Sequence, residues 1–109
     1  MRRAEVSMFG RVAGLLVEDE SGYTFTYTPG YLGLPGALPI SRLLPLRSGP
    51  FHDRRLFPFF DGLIPEGWLL EIAEKTWKLD PRDRMGLLLA CCHDCIGAAS
   101  IRPVEGAGP

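Results

Sequence analysis

Three thiols and an imidazole lie together near the end of the sequence, in Cys91-Cys92-His93-Asp94-Cys95. Cys92 and Cys95 have C-x-x-C spacing, which zinc sites and dithiol redox centres both use. A structural zinc site needs four ligands, usually paired from separate segments. The only other histidine, His52, stands alone, and there is no second C-x-x-C. A redox C-x-x-C sits after a strand and opens a helix, whereas this one follows Leu87-Leu88-Leu89-Ala90, which reads as the end of a helix. Buried or half-buried structural thiols are therefore expected, with no metal and no cofactor, and a small metal or redox protein remains an alternative. Asp61 and Glu66 flank Gly62-Leu63-Ile64-Pro65 and could form an acid/base pair. The plainer reading has Asp61 capping a turn and Glu66 at the positive end of a helix. The sequence has no G-x-S-x-G, H-E-x-x-H or G-x-x-x-x-G-K-[ST]. No catalytic residue is assigned.

The aromatic Trp68 is more informative. A helix is expected from about Pro65 to Leu79, with Pro65 at its first position and Glu71–Lys75 and Glu74–Lys78 in the favourable i,i+4 order. On a wheel of about 100° per residue, Trp77 joins Leu69, Leu70, Ile72 and Ala73 on an apolar stripe. Trp68 falls on the polar side, beside Lys75. Such a Trp either packs under the preceding loop, near Phe59 or Phe60, or is an exposed anchor for a partner.

The elements around these residues suggest an α+β fold. A small antiparallel meander of about four to five strands is expected to pack with about three short helices. Glu5–Phe9 and Val12–Val17 read as strands joined at Gly10-Arg11. Tyr23-Thr24-Phe25-Thr26-Tyr27-Thr28 alternates rings with threonines, so its rings share one face and its threonines meet water. Pro29–Gly36 is expected to be irregular, and Ile40–Leu46, between prolines, an edge strand or extended segment. A short helix is expected near Pro58. Another has Asp80 as N-cap, Pro81 at its first position and Asp83 in its first turn, and ends near Cys91 or Cys92. Ile96–Ile101 is a last strand. Residues 1–103 form one domain and 104–109 a flexible Gly/Pro tail. Phe57, Phe59, Phe60 and Leu63 belong to the core that joins sheet and helices.

Composition limits the class. The 109 residues carry 12 Lys+Arg against 13 Asp+Glu, and hydrophobic residues are 46% of the total. That balance excludes intrinsic disorder and gives no electrostatic drive toward nucleic acid. Arg2-Arg3 and Arg54-Arg55 read as solvated spots. The apolar runs are too short for a membrane span, and no apolar stretch follows Arg2-Arg3 as a secretory signal would require. With three reduced thiols, this points to a cytoplasmic protein.

Phe57-Pro58-Phe59-Phe60-Asp61-Gly62-Leu63-Ile64-Pro65-Glu66-Gly67 resembles the F-x-F-F-D-x-L-L-P-[DE]-G segment of HipA-type serine/threonine kinases, within their first N-terminal subdomain. Val12-Ala13-Gly14-Leu15, Phe25-Thr26-Tyr27, Pro39-Ile40-Ser41 with Leu44-Pro45-Leu46, and Leu87-Leu88 with Asp94-Cys95-Ile96-Gly97-Ala98 resemble further family stretches in the same order. Cys92 stands where the family often has Gly. The resemblance covers nearly the whole sequence. It implies that the kinase catalytic loop and metal-binding Asp lie downstream of this subdomain, so the chain is not expected to be an enzyme. It also implies a likeness to the HipS antitoxins of split HipB-HipS-HipT systems, in which the small protein binds and inhibits a separate HipT kinase. A HipB-like DNA-binding protein is the third member there. Trp68, after Pro65-Glu66-Gly67, occupies the position that can face the kinase in HipS-like proteins. Pro65, Glu66, Gly67 and Trp68 are thus the expected partner-binding residues. The competing reading is the N-terminal piece of a fused HipA-like kinase.

Overall fold

The computed structural model describes residues 2–64, 82–91 and 99–104. Its five strands are β1 (Arg2–Met8), β2 (Arg11–Asp19), β3 (Gly22–Tyr27), β4 (Phe51–Asp53) and β5 (Ala99–Pro103). All pair antiparallel in the order β4-β3-β2-β1-β5. The described helices are α1 (Pro29–Leu32), α2 (Pro58–Asp61) and α3 (Arg84–Cys91). The first four strands form a meander, and β5 returns beside β1. This is the five-stranded antiparallel sheet with short helices that the sequence suggests.

Alternation builds the core. Ala4, Val6 and Met8 of β1 are buried, and the residues between them are half-buried. In β3 the period-two pattern buries Phe25 and Tyr27. Their rings meet edge to face at 4.9 Å, and Phe60 of α2 lies 5.6 Å from Phe25. Met85, Leu87 and Leu88 of α3 join the same core with Ile101 of β5. Thr24 and Thr26 are half-buried on the other face. Each large side chain sealed here contributes about 1.5–3 kcal/mol.

A bulge refines the pairing of β1 with β2. Val6 faces Gly14 and Ser7 faces Val12, so Ala13 is the extra residue. Gly14 then lies under the Phe25 ring, where a Cβ would come within 2.6 Å of Cζ and 2.5 Å of the Thr26 carbonyl. Only glycine lets that ring cross the strand.

Several boundaries differ from the sequence reading. β1 begins at Arg2, because Arg2 and Arg3 pair with Glu18 and Val17. The first turn is Phe9-Gly10, with φ of 50° and 79°, and Arg11 already belongs to β2. The turn needs two left-handed residues, which glycine provides freely and phenylalanine does not. A left-handed residue with a Cβ costs about 1–2 kcal/mol. Pro29–Leu32 is a short helix, not irregular chain. The Thr28 hydroxyl accepts from the Tyr31 N–H, and Pro29 stands in the first turn.

Ile40–Leu46 is not an edge strand. Its one sheet-like feature is an isolated bridge between Ser41 and Leu44. The buried Tyr27 hydroxyl takes over the backbone instead, donating to the Leu44 carbonyl and accepting from the Ile40 N–H at 3.0 Å. Tyr31 stacks on Tyr27 with the rings 6.0 Å apart and its hydroxyl donates to the Leu38 carbonyl at 2.5 Å. Two tyrosines thus hold a proline-interrupted loop that cannot form a full ladder. The edge strand beside β3 is β4 instead, where Phe51 faces Phe25.

Helix α2 forms at Pro58 as expected, with Pro58 in its first turn. Helix α3 starts later than its sequence suggests. Asp83 caps it: its carboxylate accepts from the Gly86 N–H at 3.2 Å and its carbonyl from the Leu87 N–H at 3.0 Å, and the expected cap Asp80 lies outside the described residues. Within the expected Ile96–Ile101 strand, the described part begins at Ala99, and β5 runs on to Pro103. The expected helix over 65–79 lies outside the described residues, as do Met1 and 105–109.

Candidate functional site

Pro65, Glu66, Gly67 and Trp68 lie outside the described residues, and so do Cys92, His93, Asp94 and Cys95. The structure describes the frame on both sides of them. On the N-terminal side, α2 ends in a tight turn. The Gly62 N–H donates to the Pro58 carbonyl at 2.9 Å, Leu63 to Phe60 at 3.0 Å and Ile64 to Asp61 at 3.2 Å. Phe57, Phe60 and Ile64 are buried, and Phe59 and Leu63 pack partly against the core. Phe57, Phe59, Phe60 and Leu63 are the residues that the sequence assigns to the joint between sheet and helices, and Ile64 joins them. The chain therefore reaches Pro65 from a fixed point.

On the C-terminal side, α3 is fixed by charge. Arg84 Nε donates to Asp61 Oδ1 at 2.6 Å. The pair ties the turn after α2 to the first turn of α3. The Asp61 carboxylate binds a guanidinium, and Glu66, the other half of the expected acid/base pair, lies outside the described residues. A second cluster clamps α3 to the sheet. Arg2 donates through Nε to Glu18 at 2.6 Å and through both terminal nitrogens to Asp83, at 2.6 and 3.0 Å. The Tyr23 hydroxyl donates to the other Glu18 oxygen at 3.2 Å. Arg2 is thus not a solvated spot, whereas Arg54 and Arg55 are exposed as expected.

This cluster shifts its own titrations. The hydrogen bonds from Arg2 hold the Asp83 carboxyl below the usual carboxylate range. Bonds to Asp83 and Glu18 raise the Arg2 guanidinium further above its ordinary value. Burial, then the Glu18 charge, pushes the Tyr23 phenol up to about 12. Nothing in the sequence announces these pairs, because Arg2 with Asp83 and Asp61 with Arg84 are distant along the chain. At the β2–β3 turn, Asp19 accepts from the Ser21 N–H at 2.8 Å and hydroxyl at 2.6 Å, which holds its carboxyl low.

Two surface hollows are lined by apolar side chains. One, of about 370 Å³, lies beside β4 between Leu43, Phe51, Phe57 and Phe59, with Arg47 stacked 3.8 Å over Phe51. The other, of about 140 Å³, lies at the β1–β2 turn beside Phe9. Among the described residues, no group of three or more His, Cys, Asp or Glu could hold a metal ion. No helix among them is long and apolar enough to cross a membrane.

Fold and site define an α+β domain whose developed features are ion-paired struts and apolar surface. The family described as HipA N-terminal domain matches residues 4–102, and the chain belongs to that family. A solved N-terminal domain of HipA toxin superimposes with a TM-score of 0.77 at 34% identity, covering 97% of this chain and 95% of that one. A Haemophilus influenzae protein, described only as "Uncharacterized protein", is 36% identical over 102 residues, 94% of this chain and 92% of its own length. Y4mE of Sinorhizobium fredii, whose name proposes a kinase, is 33% identical over 97 residues. The match takes in 88% of this chain but only 23% of Y4mE, so the chain spans less than a quarter of that relative.

Proposed function

We propose that this chain is a HipS-like antitoxin, which binds a HipT-type serine/threonine kinase supplied as a separate chain and inhibits it. The observation that carries the reading is the Haemophilus influenzae relative, 36% identical over 94% of this chain and 92% of its own length, a protein of about the size of this one domain. Most of this chain also corresponds to a minor part of a kinase-named relative, and this chain belongs to the HipA N-terminal domain family. A module built to sit against a kinase body can occupy the same place in trans. The anchor is Trp68, presented by Pro65-Glu66-Gly67. The fixed ends of segment 65–81 support this role, because a partner-binding turn held on a rigid base loses less entropy on binding. Inhibition is steric: the inserted ring keeps the kinase site or its nucleotide loop from closing. A HipB-like DNA-binding protein completes the complex, this chain makes no direct contact with nucleic acid, and the complex works in the cytoplasm.

A Trp desolvated at an interface centre is worth about 2–4 kcal/mol. Trp68→Ala is therefore expected to weaken binding to a purified HipT-like kinase from the same genome at least tenfold, by calorimetry. Equal affinity of variant and wild type would remove Trp68 from the interface. The partial match to Y4mE also favours a second reading, the same domain fused to its kinase. The reading frame of the gene separates the two.

A further inference from the structure

Two ion pairs meet at the start of α3, on consecutive residues. Asp83 accepts from both terminal nitrogens of Arg2, at 2.6 and 3.0 Å, and Arg2 is held in turn by Glu18 of β2. Arg84 donates to Asp61 at 2.6 Å. Asp83 thus ties α3 to the sheet, and Arg84 ties it to the end of α2. One helix start is pinned from two directions, and α2 also packs on α3. Gly86 shows that the helix is shaped for this. Glycine is the poorest helix former apart from proline, yet it is the third residue of α3. A Cβ there would collide with the Asp83 carboxylate and come within 3.2 Å of Arg2 Nη1. Helix propensity is given up where the carboxylate must lie close.

Stability does not account for the second pair. The Arg84 and Asp61 side chains are 32% and 42% exposed, and partly exposed ion pairs add little to folding. What the pair fixes is geometry. Asp61 precedes residues 65–81 and Arg84 follows them, so their contact sets how the described stretches on either side of that segment lie relative to each other. Asp61 is well placed for this, because its carbonyl accepts from the N–H of the buried Ile64 at 3.2 Å. It therefore belongs to the same turn from which the chain leaves the core. A binding segment whose flanks are fixed loses less entropy when it docks.

We infer that Asp61 and Arg84 are positioning residues for partner binding, whose ion pair fixes the flanks of segment 65–81 and so the presentation of Trp68 to the kinase. The inference rests on the antitoxin reading and deepens it. Asp61→Asn keeps the shape of the side chain and removes its charge, and Arg84→Gln does the same from the other side. Affinity for the purified HipT-like kinase, by calorimetry, is expected to fall about fivefold or more in each. The melting temperature is expected to fall by no more than a few degrees. In a Trp68→Ala background, Asp61→Asn is expected to weaken binding by less than about twofold, because a positioning residue has no effect once the group it positions is gone. Unchanged affinity in either single variant, with wild type binding, overturns the inference and leaves the antitoxin reading standing. An equal loss in the Trp68→Ala background also overturns it, since Asp61 would then act independently of Trp68. So does a melting temperature lowered by about ten degrees, because the pair would then carry the fold. Failure of the wild type to bind the kinase overturns both.

Discussion

Phe25 and Phe9 are the same residue type at two places in one sheet, the middle of β3 and the β1–β2 turn, in opposite circumstances. Phe25 is fully buried, meets Tyr27 and Phe60 ring to ring, and is accommodated by a glycine on the next strand. Phe9 is exposed on strained backbone. The fold has therefore closed around one aromatic and left the other at its rim. Burial explains the first through stability, and the second takes no such stability from the core.

That contrast gives an ordered set of expectations. Phe25→Ala removes the centre of the aromatic cluster and is expected to cost about 3–5 kcal/mol in denaturant unfolding. A loss below about 1 kcal/mol would mean that the cluster is not the core. Tyr27→Phe keeps the ring but strips the hydroxyl from Ile40 and Leu44, and about 1–3 kcal/mol should be lost. Hydrogen exchange should locate the loosening in residues 38–46.

The polar clamp is weaker than either. Arg2→Met is expected to cost about 1 kcal/mol, because its side chain is 38% exposed and solvent screens the pairs. Its pH signature has two limbs. Asp83 titrates below its ordinary value when folded, so its contribution is complete above about pH 4 and is lost as pH falls through the lower folded value. Tyr23 titrates near 12 when folded against an ordinary 10.0, so its contribution is complete below pH 10 and is lost as pH rises toward 12. Thermal melts of wild type across pH should show both limbs, and Arg2→Met should flatten the acid one. The smallest change in stability is expected at Phe9→Asn, and in the opposite direction, with the melting temperature held or raised.

The sheet was legible where alternation is local. Tyr23–Tyr27 reads as a strand because each ring is two residues from the next, and Pro58 marks its short helix by its fixed backbone angle. Boundaries set by distant partners were not legible. Arg2 looks like a solvated charge until Asp83 and Glu18 stand beside it. Asp83 becomes the cap of α3 because the folded chain starts that helix at Arg84. Ile40–Leu46 has the composition of a strand, yet Tyr27 claims its backbone from across the core. At the candidate site, Phe57, Phe59, Phe60 and Leu63 were legible as core and within a family segment, while the Asp61–Arg84 pair had no local signal. Pro65, Glu66, Gly67 and Trp68 remain expectations from resemblance.

The most direct test of the antitoxin reading is phosphate incorporation by a HipT-like kinase from the same genome, titrated with wild-type protein and with Trp68→Ala. Inhibition that saturates near one equivalent of wild type, and needs at least tenfold more of the variant, is the predicted result. Undiminished kinase activity at a large excess of wild type would contradict the account.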